Sequence, residues 1–236
     1  MELQRHINSR NYIFCFLTVI ACFAFGYILP ISLDHIQYLT LYDYFKSVYT
    51  VITQFGPMIF SIVAICVLNI DYKEKNILFY RNIGYSPLRH FLLRSLYIWL
   101  FFSLSLLAMN GVACMVFGDF SQFITMFLYY ENALIYEVLV ASIFAYLFKN
   151  ILLAFCLNLV VWIGQIMIAA ASELFWFFAY YDASSKLYYD LEKFLDTGNT
   201  SMLHVLPSVG YNLCVFLIFI IILILCRRRW IKNGIY

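Results

Sequence analysis

Charge is the first shortage. Charged side chains make up only 12% of the 236 residues and hydrophobic ones 64%, with 24 Phe and 20 Tyr among them. Soluble domains carry roughly 25% charged and about 45–50% apolar residues, so this composition does not suit a water-facing enzyme. The net charge is only +2, from 15 basic and 13 acidic side chains, and provides no global field to attract nucleic acid. Cysteine pairs of the CxxC kind are missing too. Cys15, Cys22, Cys66, Cys114, Cys156, Cys214 and Cys226 all fall inside or at the ends of apolar runs, where they read as small hydrophobes rather than a disulfide framework or zinc site. There is no GxxxxGK, HExxH or GxSxG, which removes those phosphate-loop, zinc-protease and serine-hydrolase readings. His6, His35, His90 and His204 occur singly and far apart, a pattern that argues against a shared metal centre.

Long apolar runs are abundant instead. A helix needs roughly 20 apolar residues to cross a bilayer core, and six spans can be drawn at 12–31, 50–70, 95–117, 133–148, 151–171 and 208–226. The first follows Arg5, His6 and Arg10, but its length, with Gly26 and Pro30 inside it, marks a retained span rather than a cleavable signal. The fourth is short and holds Glu137, so a start near Ile124 is the alternative. Only Lys149 and Asn150 separate it from the fifth. The fold class expected is all-α, a polytopic membrane protein with six transmembrane helices, forming one domain over 1–236 with no soluble domain of ordinary size.

The distribution of charge predicts an orientation. Arg5, Arg10, Lys73, Lys75, Arg81, Arg89, Arg94, Lys149, Arg227, Arg228, Arg229 and Lys232 all fall on one side of the six spans. The other side keeps Lys46, Lys186 and Lys193 against Asp34, Asp43, Asp119, Glu131, Glu173, Asp182, Asp190, Glu192 and Asp196. Positive loops stay in the cytoplasm, so both termini are expected inside.

Two connections stand out. Residues 71–94 read DYKEKNILFYRNIGYSPLRHFLLR, a short amphipathic helix, a turn at 84–86, and a second helix starting at Pro87 that runs into span three. Pro suits a first helical turn, where its missing N–H would have been unpaired. A helix of this kind lies at the interface or docks a cytoplasmic partner. The outer segment 172–207 begins SELFWFFAYYD, and Leu187, Leu191 and Phe194 or Leu195 recur at helical spacing, with Asp190, Glu192 and Lys193 read as off that stripe. One or two helices on the outer leaflet are expected there.

Polar residues inside the spans are sparse. Glu137 is the one acid drawn within a span; it either faces a central cavity, as intramembrane acids usually do, or reaches water from the outer end of a displaced helix. Asn158 and Gln165 lie seven residues apart on one helix face. With Gln54, Asn69 and Asn110 they bond helix to helix in the first reading and line a polar route in the second. Gly56 and Pro57 mark a candidate kink in span two.

Taken together, the basic lead, the six spans, the charged helix between spans two and three, the tight turn after span four and the long outer segment resemble the permease subunit of ABC exporters of the second exporter class. Locally the resemblance rests on Glu74, Asn76, Ile77, Leu78, Ser86, Pro87 and Arg89; Asn76 and Ile77 stand where the family commonly has a small Gly-Thr pair. The resemblance implies that residues 71–85 form a coupling helix docking on a separate cytoplasmic ABC ATPase through Asp71, Lys73, Glu74, Asn76, Ile77, Leu78, Arg81 and Arg89. It implies pairing of two permeases, a second copy or a sister chain, in a bacterial cell membrane. ATP and Mg would sit on the ATPase, with no cofactor or metal on this chain and no catalytic residue. The path, bounded by spans one, two and five, would use Gln54, Glu137, Asn158 and Gln165. The small size and aromatic content resemble permeases that export antimicrobial or amphipathic peptides and confer self-immunity. An ion-coupled carrier, a membrane-embedded enzyme and a non-transporting assembly subunit are the competing classes.

Overall fold

The computed structural model describes residues 11–33, 35, 38–73 and 86–233. Every regular element among them is helical: α1 (Asn11–Leu33), α2 (Leu41–Lys73), α3 (Pro87–Phe117), α4 (Phe123–Leu147), α5 (Ile151–Ala171), a 3₁₀ segment (Glu173–Ala179), α6 (Lys186–Thr197), a 3₁₀ turn (Thr200–Met202) and α7 (Val205–Asn233). Six helical stretches are long and apolar enough to cross a membrane, Asn11–Ser32, Leu41–Ile70, Leu88–Phe117, Phe123–Leu147, Ile151–Ala171 and Thr200–Cys226. The six expected spans are therefore present, several with longer bounds.

The extensions have local causes. Thr40 and Asp43 form a reciprocal cap at the start of α2, the Thr40 hydroxyl donating to Asp43 Oδ2 at 2.6 Å and accepting from the Asp43 N–H at 3.2 Å. This capping box lets the helix begin nine residues before the expected 50, ahead of the apolar run. Ser86 caps α3, its Oγ accepting from Arg89 N at 3.2 Å, with Pro87 in the first turn. From there α3 runs unbroken to Gly118, whose φ of 72° closes the helix in the left-handed region. Asn150 starts α5 by accepting from Leu152 N at 3.0 Å, so the α4–α5 turn is as tight as expected. Helix α4 takes the earlier of its two candidate starts. Glu131, assigned above to the outer connection, consequently lies inside α4, where Trp99 Nε1 of α3 donates to its carboxylate.

Helices α2 and α4 form the centre. Helix α2 packs on α1, α3, α4 and α5, and α4 packs on α2, α3, α5 and α7. Lipid tails are as apolar as leucine, so close packing and polar pairs must hold such a bundle together. Gly26 lets α1 approach Val48 of α2 so closely that an added Cβ would lie 2.5 Å from Val48 Cγ2 and 2.9 Å from Val48 Cα. Ser95 donates to Ser142 at 3.0 Å, Tyr130 to the Phe45 carbonyl at 3.1 Å, and Asn212 Nδ2 to the Asn132 carbonyl at 2.9 Å. By contrast, α5 and α7 turn Val160, Met167, Leu213, Leu217 and Leu225 outward.

The segment between α5 and α7 folds into a cap over one end of the bundle. Its helix α6, closed by Ser185 and by Gly198 at φ 70°, buries Leu187, Leu191, Phe194 and Leu195, the stripe expected from the sequence. Asp190 departs from that expectation: it is buried on the same face, because His204 Nε2 comes within 2.9 Å of its carboxylate. Lys46 of α2 pairs with Glu192, the Thr50 and Tyr188 hydroxyls meet at 2.9 Å, and Gln54 Nε2 donates to Asp182 at 2.8 Å. Tyr181 donates to the Ser208 carbonyl at 3.3 Å and Tyr180 stacks on Tyr211 at 4.5 Å. Burial pushes the Tyr180 and Tyr181 hydroxyls above the ordinary tyrosine range, Ser208 partly opposing it at Tyr180.

Candidate functional site

Gly56 and Pro57 lie near the middle of α2, and the helix continues through them. Pro57 lacks an N–H and so withdraws one main-chain bond from the turn before it. Its own carbonyl is unusually engaged, accepting from the Ser61 hydroxyl and, at 3.2 Å, from Asn158 Nδ2 of α5. Seven residues further along α5, Gln165 Oε1 accepts from the Tyr136 hydroxyl of α4 at 2.9 Å. Glu137 follows Tyr136. It lies well inside α4 and is only 5% exposed, its Cγ 3.6 Å from where a Cβ on Gly56 would stand. Three of the four path residues named from the sequence thus lie along the α2–α4–α5 junction, Glu137 and Asn158 beside the Gly56–Pro57 turn and Gln165 two turns further along α5. Gln54 stands one turn nearer the cap and is bonded to Asp182.

The amides and the acid of this junction differ in kind. Asn158 and Gln165 each hold one helix to another, as buried amides in lipid commonly do. Glu137 takes part in no hydrogen bond or ion pair among the described residues. Its depth in α4 departs from the reading in which it reached water at a helix end. An intramembrane carboxyl without a partner is expensive, which is why such groups mark paths and ligand contacts.

Sequence reasoning passed over several polar contacts nearer the cap. Glu131 with Trp99, Asn132 with Asn212, and Asp190 with His204 all join separate elements. The signal for the first two was an acid or amide within or beside an apolar run. For Asp190 and His204, 14 residues apart, the sequence pattern offered none.

Of the coupling residues, Asp71 and Lys73 belong to the last turn of α2. Glu74, Asn76, Ile77, Leu78 and Arg81 lie outside the described residues, as does most of the expected coupling helix. Arg89 is exposed in the first turn of α3. Cavities open elsewhere among the described residues. One of about 300 Å³ lies between α3, α4 and α7, and one of about 320 Å³ lies between α1, α2 and α3 and is lined by Phe23, Tyr27, Tyr44, Met109 and Val116.

Six helices can span a membrane, one of them with a buried acid, and the profile of the peptide export permease protein YydJ family matches residues 1–235. The chain belongs to that family. It is 29% identical over 242 positions to the probable peptide export permease protein YydJ of Bacillus subtilis (strain 168), covering 100% of this chain and 99% of that one. No solved structure matches it. As a YydJ-family member with six helices able to span a membrane, the chain is a multi-pass bacterial membrane protein of a permease family.

Proposed function

We propose that the chain is the transmembrane subunit of an ATP-driven exporter that moves an amphipathic, peptide-like substrate out of the cell or the membrane. The observation that carries this reading is the continuity of α3. Its capped first turn, with Arg89 exposed, leads through 31 unbroken residues to the far end of the bundle, about 45 Å at 1.5 Å per residue. On the way it is bonded to α4 through Ser95–Ser142 and Trp99–Glu131. A displacement at the first turn of a rigid helix is carried to its whole length and to the helix packed on it.

The energy comes from a cytoplasmic ABC ATPase carrying ATP and Mg, docked on Asp71, Lys73, Glu74, Asn76, Ile77, Leu78, Arg81 and Arg89. The side rich in basic residues faces the cytoplasm, which puts both termini inside. Two permeases, identical or sister chains, pair around the path, and Glu137, at the α2–α4–α5 junction with Asn158 and Gln165, contacts the substrate between them. The family's description as a peptide export permease supports the substrate class; an antimicrobial peptide and self-immunity fit the same chemistry.

The test is a mild-detergent pull-down of the chain from its native membrane, with partner stoichiometry and ATP hydrolysis measured. One ATPase per permease, with hydrolysis stimulated by an apolar peptide, is the expected result. Recovery of the chain alone in several mild detergents overturns the proposal.

A further inference from the structure

The cavity between α3, α4 and α7 lies on the face of α4 turned away from Glu137. Ile135 and Glu137 are two residues apart, hence about 200° around the helix, and Ile135 lines the cavity while Glu137 faces α2. Leu96, Ile135, Leu139, Leu213 and Phe216 make most of its wall. At about 300 Å³ it stands at the lower end of small-ligand clefts, about 300–1,000 Å³, with room for a few side chains and not for a folded molecule. Leu96, Val209 and Leu213 on its lips are exposed on the bundle surface, so access is from the plane of the bilayer. Along α7 the lining runs from Val209 to Phe219, about 15 Å of helix.

Its polar groups are unbalanced. Asn212 is 5% exposed and lines the cavity; its amide nitrogen is engaged by the Asn132 carbonyl at 2.9 Å and Asn132 Oδ1 at 3.1 Å, while its own Oδ1 meets no donor. That orphaned atom is an acceptor. A hydrocarbon tail fills the walls and leaves it unpaired, which costs about as much as a lost hydrogen bond. An apolar peptide segment brings hydrocarbon side chains together with main-chain N–H donors, and an ammonium where it ends.

We propose that the α3–α4–α7 groove is a lateral binding site for an apolar peptide segment taken from the membrane plane, one of whose N–H groups pairs with Asn212 Oδ1. The assignment rests on the peptide-export reading for its choice of ligand. It places first binding on the opposite side of α4 from the junction around Pro57. Because α3 forms one wall, a peptide in the groove touches the helix that reaches the first-turn Arg89.

The test uses the purified full chain in nanodiscs, without any ATPase. The probe is a ten-residue leucine-rich peptide with a free N-terminus and one benzophenone side chain; a benzophenone-labelled phosphatidylethanolamine serves as the competing probe. Photolabelling by the peptide at Leu96, Ile135 or Leu213 is expected. Asn212→Leu should weaken it roughly threefold to tenfold, the worth of one hydrogen bond. Leu213→Trp, at an exposed lip, fills the groove without touching the Asn132–Asn212 pair and should abolish labelling there, so a misfolded Asn212→Leu chain does not blunt the test. Labelling that is unchanged in Leu213→Trp, confined to α1, α2 or α5, or stronger with the lipid probe overturns the groove. Since no ATPase is present, groove labelling with no ATPase ever recovered from membranes would refute the exporter reading alone. Peptide-stimulated hydrolysis with no groove labelling would refute the groove alone.

Discussion

Gly26 shows how little space separates α1 from α2. A Cβ there would meet the Val48 backbone at 2.9 Å, and backbone cannot rotate away as a side chain can. Gly26→Val should therefore cost about 1–3 kcal/mol by overpacking, read as a lower thermal midpoint of the detergent-solubilised monomer peak. Gly164→Val, where an added Cβ meets nothing within 4 Å, is the control and should leave the midpoint unchanged. Glu137 calls for the opposite kind of substitution, one that keeps shape and removes charge. Glu137→Gln should lower peptide transport severalfold at equal expression; undiminished transport would make the residue a packing element. Glu137 was legible in the sequence because an acid in an apolar run is conspicuous. Glu131 was not, since Tyr129, Tyr130 and Asn132 dilute the hydropathy around it and move the apparent helix start past it.

At the scale of elements, the cap separates what periodicity reveals from what it conceals. The apolar stripe of α6 was readable because Leu187, Leu191, Phe194 and Leu195 repeat at helical spacing. Asp190 on that same face was not, because its burial depends on His204 arriving from beyond the turn at Gly198. Likewise Lys46 looked like a loop residue, but the Thr40–Asp43 cap starts α2 ahead of it and Glu192 supplies its partner. Glu192→Ala should loosen α6 from α2, seen as faster hydrogen exchange over residues 186–197 with little change in α4. Exposed pairs contribute little, about 0–1 kcal/mol, so the effect is local opening rather than unfolding. Alkaline pH should act on the same element. Tyr180 and Tyr181 titrate higher in the folded cap than in an open chain, so their contribution is complete below about pH 10 and declines as pH rises beyond it. Protection across 172–204, measured relative to the base-catalysed intrinsic exchange rate, should fall there; protection unchanged from pH 9 to 11 would contradict it.

For the whole molecule, the six-span layout was the most legible feature, since apolar runs of bilayer length admit few alternatives. Their arrangement around α2 and α4 was not, because which helices lie inside depends on pairs such as Tyr130 with Phe45 and Asn212 with Asn132. The candidate site was half legible: Asn158, Gln165 and Glu137 could be named, but the junction they lie along is a property of three helices together. Orientation is testable directly. In a background lacking native cysteines, Asn199→Cys in the cap should react with an impermeant maleimide on intact cells, and Lys149→Cys only after permeabilisation; the reverse pattern would invert the molecule. The cap also has a chronology. Lys46 waits for Glu192 over 146 residues, and Gln54 waits for Asp182 over 128. At about 5–20 residues per second of synthesis, α2 enters the bilayer roughly 7–30 s before its polar shoulder can be covered. A nascent chain halted after α5 should therefore be a preferred target of membrane proteases, and completion of α6 the event that ends that vulnerability.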